Sequence, residues 1–482
     1  MFKLTPQSEA AHRQLSPMSA EFLQYMNGKD FDPLLDDEEI SLPAFTRFYP
    51  TTSWPLFLDQ SILAEVKRAT LGLDALLKSV PERLFGNNGQ AIRSYLKVPE
   101  DYPLEENLKE PTGLDYSISR LDLVMTNSGF KCLESNNSSR LGGWQIPFYE
   151  EYLFKMPQFA NFFKTNQFIP RCRDTLRLLF THIAETCYAR GIHENGEVNI
   201  LIAGRPTAKN TLRQAFFYFN KVYARAQEDM GGLIRGRVLI NNYDHEYELN
   251  DGYITIQGQR IHASLETTAD YRPLSLLGSF RRGKLLLFNA PITAVLSKAM
   301  LGLLYENMDS EEFNAEERSI ISSYIPWTAR LTGSQASWNG ETIKFPEDLY
   351  ALRERLVLKA STGYGGEDVF IGNKTRPHKW NEAVDNALKL HDGQWIVQEY
   401  CESVPYTFPT GPGQVAEHDL VWGFFAFGRH YGGGFLRVAP RGNHNGVINA
   451  AQGALEGLIL EKDPVDYSMT PLQANSISMD GV

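Results

Sequence analysis

The segment RLDLVMTNSGFKCLESN, residues 120–136, constrains this chain more than any other stretch. Apolar and polar residues alternate on both sides of Asn127-Ser128-Gly129, which is good turn chemistry, so the segment predicts a β-hairpin. Residues i and i+2 of a strand share a face. Arg120 and Asp122 therefore point one way on the first strand, and Glu134 and Asn136 one way on the second. A turn centred on residue 128 sets Asp122 opposite Glu134 and Arg120 opposite Asn136. Opposed Cβ atoms lie ~4.5–5.5 Å apart, and like charges there repel. A divalent cation would remove that penalty. Mg²⁺ is held through a few carboxylate or amide oxygens, with ligand phosphates and water completing its octahedron. Arg120 beside them would grip a phosphate or carboxylate through a bidentate fork. The plainer alternative is a surface hairpin, with Arg120–Asp122 and Lys131–Glu134 as ordinary solvated pairs.

A second stretch, LVLKASTGYGGEDVFIG, runs from a strand through Lys359 into a glycine-rich turn (Gly363, Gly365, Gly366) and on to another strand. Glycine permits positive φ and close approach, so such a loop can close its amides over phosphates. No GK[ST] follows, so it is not a Walker A loop. No GxGxxG opens a helix, so it is not a dinucleotide fingerprint. A plain hairpin turn fits the pattern equally. QWIVQEY, residues 394–400, places Gln398 and Glu399 in an apolar strand. Buried polar groups need partners, and an adenine edge with ribose hydroxyls could supply them; an edge strand with its polar face in water is the alternative. Lys298 falls on a predicted helix, where a lone lysine is ordinarily solvated. Arg437 follows three glycines in a β-type run, which suggests an ion pair or a phosphate clamp. The nearby histidines, His418, His430 and His444, fit no zinc spacing.

The rest of the chain is mixed. Helical patterns (SILAEVKRATLGLDALLKSV; residues 171–191, 293–306 and 315–323; KWNEAVDNALKLH) alternate with strand patterns (VNILIAG, RVLINNYD, YITIQ, VWGFFAFG, HYGGGFLRVA, NGVINA). This predicts a small α/β unit around residues 197–285 and an α+β region from Leu356 to about Asn449. Charge narrows the function. Lys plus Arg number 47 against 58 Asp plus Glu, a net charge of −11. Nucleic-acid affinity rests on clustered cations, so a nucleic-acid partner is not expected. No apolar run approaches the ~18–20 residues that span a bilayer, and the N-terminus carries no signal-peptide pattern. The four scattered cysteines form no CxxC pair. The expectation is a cytoplasmic protein with no membrane partner.

Taken in order, these motifs resemble the circularly permuted ATP-grasp ligases, of which the glutathionylspermidine synthases are the best-known relatives. The likeness covers about residues 116–150 and 285–455 and includes the PWT at 326–328. It implies an α+β / α/β architecture: a circularly permuted ATP-grasp fold with a pre-ATP-grasp α/β domain. The implied divisions are 1–115, an N-terminal mixed region, and 116–170, a metal-binding hairpin belonging spatially to the ATP-grasp domain. Then come 171–285, a pre-ATP-grasp-like α/β domain; 286–350, a connecting helical part; 351–460, a nucleotide-binding subdomain; and 461–482, a flexible tail.

The resemblance implies ATP and Mg²⁺ as cofactors, and small-molecule carboxylate and amine substrates joined into an amide through an acyl phosphate. It casts Asp122, Glu134 and Asn136 as metal ligands and Lys298 and Lys359 as the nucleotide lysines. Ser361 to Gly366 become a lid loop, and Gln398, Glu399 and Tyr400 a hinge strand. Arg120 and Arg437 would stabilise the transferring phosphoryl or the acyl-phosphate oxygens, with the loop from Ser135 to Gly143 lining the acceptor site. A non-catalytic nucleotide or peptide binder and an ATP-dependent phosphotransferase remain the alternatives.

Overall fold

The computed structural model describes residues 2–35, 49–100, 102–109, 114–164, 169–204, 209–242, 247–266, 274–362, 368–389, 394–442 and 445–462. Gly363, Gly365, Gly366, His444 and the tail from residue 463 lie outside the described residues.

The N-terminal part is helical. Thr5 and Ser16 cap the helices Pro6–Leu15 and Pro17–Met26, each with proline in its first turn. A short strand, β1 (Leu56–Leu58), follows. Asp59 then caps the helix Gln60–Arg83 by accepting from the amides of Ser61 and Ile62. The buried stripe of this helix (Ile62, Val66, Leu73, Leu77, Val80) follows helical spacing. The hairpin of β2 (Ile118–Thr126) and β3 (Gly129–Asn137) comes next. The middle of the chain supplies β4 (Ile200–Gly204) and β5 (Val238–Asn242). A small three-stranded sheet follows, β6 (Glu248–Asn250), β7 (Tyr253–Ile256) and β8 (Gln259–Ile261). Then come β9 (Ala263–Glu266) and β10 (Leu286–Phe288).

The remainder supplies β11 (Thr328–Arg330), β12 (Gln335–Trp338), β13 (Glu341–Lys344), β14 (Leu356–Ala360), β15 (Val369–Ile371) and β16 (Trp395–Glu399). It ends with β17 (Tyr406–Gly411), β18 (Gln414–Phe427), β19 (His430–Pro440) and β20 (Leu455–Glu461). NGVINA forms no strand: Asn449 caps a short 3₁₀ turn at Ala450–Gln452, and Gly453, at φ 96°, turns the chain into β20.

Three larger sheets result. One is seven-stranded, ordered β1-β20-β19-β18-β2-β3, with β17 also paired to β18. It joins strands from both ends of the chain. The second, β10-β9-β4-β5, is parallel throughout, as the strand–helix–strand pattern predicts. The third, β11-β16-β14-β15, is antiparallel. A continuous apolar core underlies the first two, and a second core built on Trp327, Trp338, Trp380 and Leu358 underlies the third.

Polar contacts hold the central hairpin from behind. Ser119, on the reverse face of β2, hydrogen-bonds Asp74 of the helix Gln60–Arg83, and Asp74 is paired with Lys78 at 2.6 Å. Asn289, just after β10, exchanges side-chain hydrogen bonds with the backbone of Ile118, at 2.6 and 3.3 Å. The parallel sheet is thereby tied to the first residue of β2.

Candidate functional site

The hairpin registers Asp122 against Glu134 and Arg120 against Asn136. It is not a surface hairpin. β2 is flanked by β18 and β3, and Asp122 is only 2% exposed. Across the sheet Asp122 aligns with Gly423, and Gly423 with Phe435; Arg437 on β19 aligns with Glu456 on β20. Alternation then places Asn136, Glu134, Arg120, Asp122, Gly423, Phe435, Arg437 and Glu456 on one face.

Two glycines make room on that face. A Cβ on Gly423 would lie 2.6 Å from the Phe435 ring and 3.0 Å from Arg120 Cδ. Gly143, at φ +98°, closes over the same ring, where a Cβ would come within 2.2 Å. Arg120 Cζ stands 5.5 Å from the Phe435 centroid.

Asp122 is gripped by cations. Arg120 forks onto it, Nε to Oδ1 at 2.8 Å and Nη2 to Oδ2 at 3.1 Å. Arg437 Nη2 stands 2.7 Å from Oδ2. Burial works to raise the Asp122 pKa, but the two guanidiniums reverse this and hold the carboxyl well below the usual carboxylate range. Arg437 is itself 6% exposed, and its Nε and Nη2 make no directed hydrogen bond. Its contact with Asp122 is one of charge and proximity. Buried guanidinium donors of this kind favour an anion.

Asn136 Nδ2 bridges the two carboxylates, donating to Asp122 Oδ2 at 3.1 Å and to Glu134 Oε1 at 3.2 Å. A donor placed between two acids occupies the electrostatic position of a cation, and a turned amide would offer its oxygen instead. Among the described residues no three His, Cys, Asp or Glu side chains gather as a metal site. The candidate set is two acids and an amide. Glu134 fits a hard cation as it stands, Asn136 does so once its amide is turned, and Asp122 must first loosen a guanidinium.

Both lysines reach this face from other elements. Lys298 is not inside a helix: it is the N-cap of the helix Ala299–Glu306. Its backbone N–H donates to the Ser361 carbonyl at 3.1 Å, and its Nζ stands 3.6 Å from Glu134 Oε2. Lys359 on β14 is buried and donates to Gln398 Oε1 at 2.7 Å and to the Leu133 carbonyl at 3.2 Å. Burial lowers its pKa, with Glu134 opposing and Lys298 adding to the shift.

Gln398 is fully buried on an interior strand, not an edge strand. Its partners are Lys359 and, at 3.0 Å, Thr328 Oγ1 of the PWT segment. It therefore meets the site through Lys359. Glu399 and Tyr400 continue that strand, their amides bonded to the carbonyls of Trp327 and Arg355.

Sequence reasoning missed Glu456 and Gln145. Gln145 Nε2 donates to Glu456 Oε2 at 3.0 Å, and Gln145 Oε1 accepts from the Gly143 amide at 2.9 Å. Burial pushes the Glu456 carboxyl up to about 7, against the pull of Arg437, Arg120 and Gln145. An acid one residue into the largely apolar run LEGLILE was the available signal.

No family model matches the chain, and no curated protein matches it. Among solved structures, a glutathione synthetase like-effector (GSS30) from Globodera pallida, in its apoform, aligns with 95% of this chain and 98% of its own at 10% identity, with a TM-score of 0.54. A putative gamma-glutamylcysteine synthetase from Methylobacillus flagellatus covers 80% of this chain and 87% of its own at 12% identity, with a TM-score of 0.39. The second is too distant to argue from. The first is a likeness of fold: this chain has a glutathione synthetase-like α+β fold.

Proposed function

We propose that this protein is an ATP-dependent, ADP-forming carboxylate–amine ligase acting on an amino acid, peptide or small metabolite. One observation carries the reading. Lys298, Lys359, Arg120 and Arg437, from four separate stretches of chain, converge on the acids Glu134 and Asp122, and Nε and Nη2 of the buried Arg437 make no directed hydrogen bond. Such a face suits a polyphosphate and a developing acyl phosphate, where catalysis is mainly charge neutralisation and positioning. A likeness of fold to a synthetase-like protein supports it.

On this reading Lys298 and Lys359 bind the nucleotide phosphates. Arg120 and Arg437 hold the transferred phosphoryl and the acyl oxygens. Glu134 and Asn136, with Asp122 once freed, would hold Mg²⁺, which neutralises phosphate charge. Ser361 begins the lid, and Gln398 and Glu399 of β16 with Tyr400 after it form the hinge; Gln398 keeps Lys359 aimed at the site. The circularly permuted order of the ATP-grasp parts belongs to the same proposal. It accounts for an early hairpin paired to late strands.

A second reading, a non-catalytic nucleotide binder, is favoured by the double guanidinium grip on Asp122. The test is product release from ATP, Mg²⁺ and pooled carboxylates and amines. A ligase releases ADP and phosphate only with both substrates, a phosphotransferase releases ADP without free phosphate, and a binder releases neither.

A further inference from the structure

Glu456 has no part in the ligase scheme above, yet it is 3% exposed and shares the face of the phosphate-binding residues. Its strand is fixed on one side by register with Arg437 and on the other by Thr52 N–H to the Glu456 carbonyl at 2.8 Å. Its side chain holds Gln145, which in turn holds the Gly143 amide. The neighbouring Gly142 carbonyl accepts from Arg120 Nη1 at 3.1 Å. Arg120 grips Asp122, and Asp122 meets Arg437, the cross-strand neighbour of Glu456. These contacts close a ring around the two arginines.

We propose that Glu456 is a positioning residue for the arginine pair: through Gln145 it fixes the Gly142–Gly143 turn that Arg120 grips, and its charge sets how strongly Arg120 and Arg437 draw an anion. The proposal rests on the nucleotide-binding reading. The charged groups facing Glu456 are Arg437 from β19 and Arg120 from β2, with Gln145 the polar contact from the loop after β3. With Glu456 ionised, an acid offsets the guanidiniums and opposes an incoming phosphate. With Glu456 protonated, that opposition is gone. The carboxyl titrates near neutrality, so anion uptake draws a proton.

The experiment is calorimetric titration of the full chain with Mg·ATP, without carboxylate or amine, at pH 6 and pH 8, in two buffers of different ionisation enthalpy. Wild type binds roughly fivefold tighter at pH 6 and takes up a proton. Glu456→Gln keeps a hydrogen-bonding partner for Gln145 and loses the charge. It binds tightly at both pH values, and its proton uptake falls to that of the probe alone. Gln145→Ala keeps the pH dependence and binds more weakly at both. Equal pH dependence in wild type and Glu456→Gln overturns the proposal and leaves the nucleotide reading standing. So does an absence of proton uptake in wild type, which needs no variant to fold. No binding of Mg·ATP by wild type at either pH overturns the nucleotide reading and takes this one with it.

Discussion

Lys359 Nζ donates to the carbonyl oxygen of Leu133, and Leu133 is the extra residue of a bulge in β3. Lys359 belongs to the antiparallel four-stranded sheet and Leu133 to the seven-stranded one, so this bond joins two sheets at the site. A bulge leaves one residue out of the ladder and re-aims its neighbours. Here it frees a carbonyl for an ammonium and turns Glu134 onto the face of Asp122.

Removing the lysine tests that junction. Lys359→Ala deprives Gln398 Oε1 and the Leu133 carbonyl of their shared donor. A buried acceptor left unmade costs about 1–3 kcal/mol, so denaturant melts should show a loss of that order with the fold retained. Mg·ATP affinity should fall at least tenfold. Glu134→Gln, half-exposed beside Lys298, should leave stability nearly unchanged while ADP release in the substrate-pool assay almost vanishes. Near wild-type release in both variants would sink the site assignment.

Gly423 is a steric test of the same face. A Cβ there meets the Phe435 ring at 2.6 Å and Arg120 Cδ at 3.0 Å. Gly423→Val must push Arg120 off its seat over Asp122 or tilt Phe435, and overpacking of this kind costs about 1–3 kcal/mol. Mg·ATP affinity should drop together with Tm. Gly86→Ala, at an open position, bears only the cost of a positive φ (55°), which Gly423 does not have, and shows what a loss of Tm without a steric clash at the site does to nucleotide affinity. Unchanged nucleotide affinity in Gly423→Val would mean that the Arg120 seat is irrelevant to binding.

Much of this was legible in sequence, though not always for the stated reason. The pairing of Asp122 with Glu134 follows from a turn centred on residue 128. The observed turn is Asn127–Ser128, closed by Thr126 and Gly129, and a regular ladder from it would set Leu133 opposite Asp122. The bulge adds one residue and restores the pairing, so two one-residue displacements cancel. Periodicity showed several of the longer helices and many strands, because a buried stripe or an alternating face leaves a local trace. Lys298 left none: its place depends on a bond to Ser361, distant in sequence, and on the helix start at Ala299. Glu456 was hidden for a similar reason. An acid near the end of an apolar strand reads as a solvent-facing position until the strand is known to lie between β19 and β1.

Asp122 should show the pH behaviour of a strongly paired acid. Its folded pKa lies below the unfolded value, so the stability it contributes is fully present above the usual carboxylate range and is lost as pH falls through the folded pKa. Asp122→Asn leaves two buried guanidiniums without their acid, which costs roughly 3 kcal/mol at pH 7. Denaturant melts of wild type and variant should differ by this amount at pH 7 and still differ at pH 4. Curves that merge at pH 5 would show that the guanidiniums do not hold the carboxyl ionised.

Glu456 carries the reverse sign. Its folded pKa of about 7 exceeds the ordinary glutamate value of ~4.3, so the folded state binds more protons than the unfolded state between those limits. Stability therefore falls as pH rises through that window, and the full effect is on the order of 3 kcal/mol. Glu456→Gln cannot ionise and escapes the loss. Its Tm should match wild type near pH 4.5 and exceed it by several degrees at pH 8, measured by circular dichroism in matched ionic strength. The gain should be smaller in high salt only if Arg120 and Arg437 are exposed to screening, and their burial predicts little change. A variant that is less stable than wild type at pH 8 would show that the ionised carboxylate, not the neutral acid, suits the pocket formed by Arg437 and Gln145.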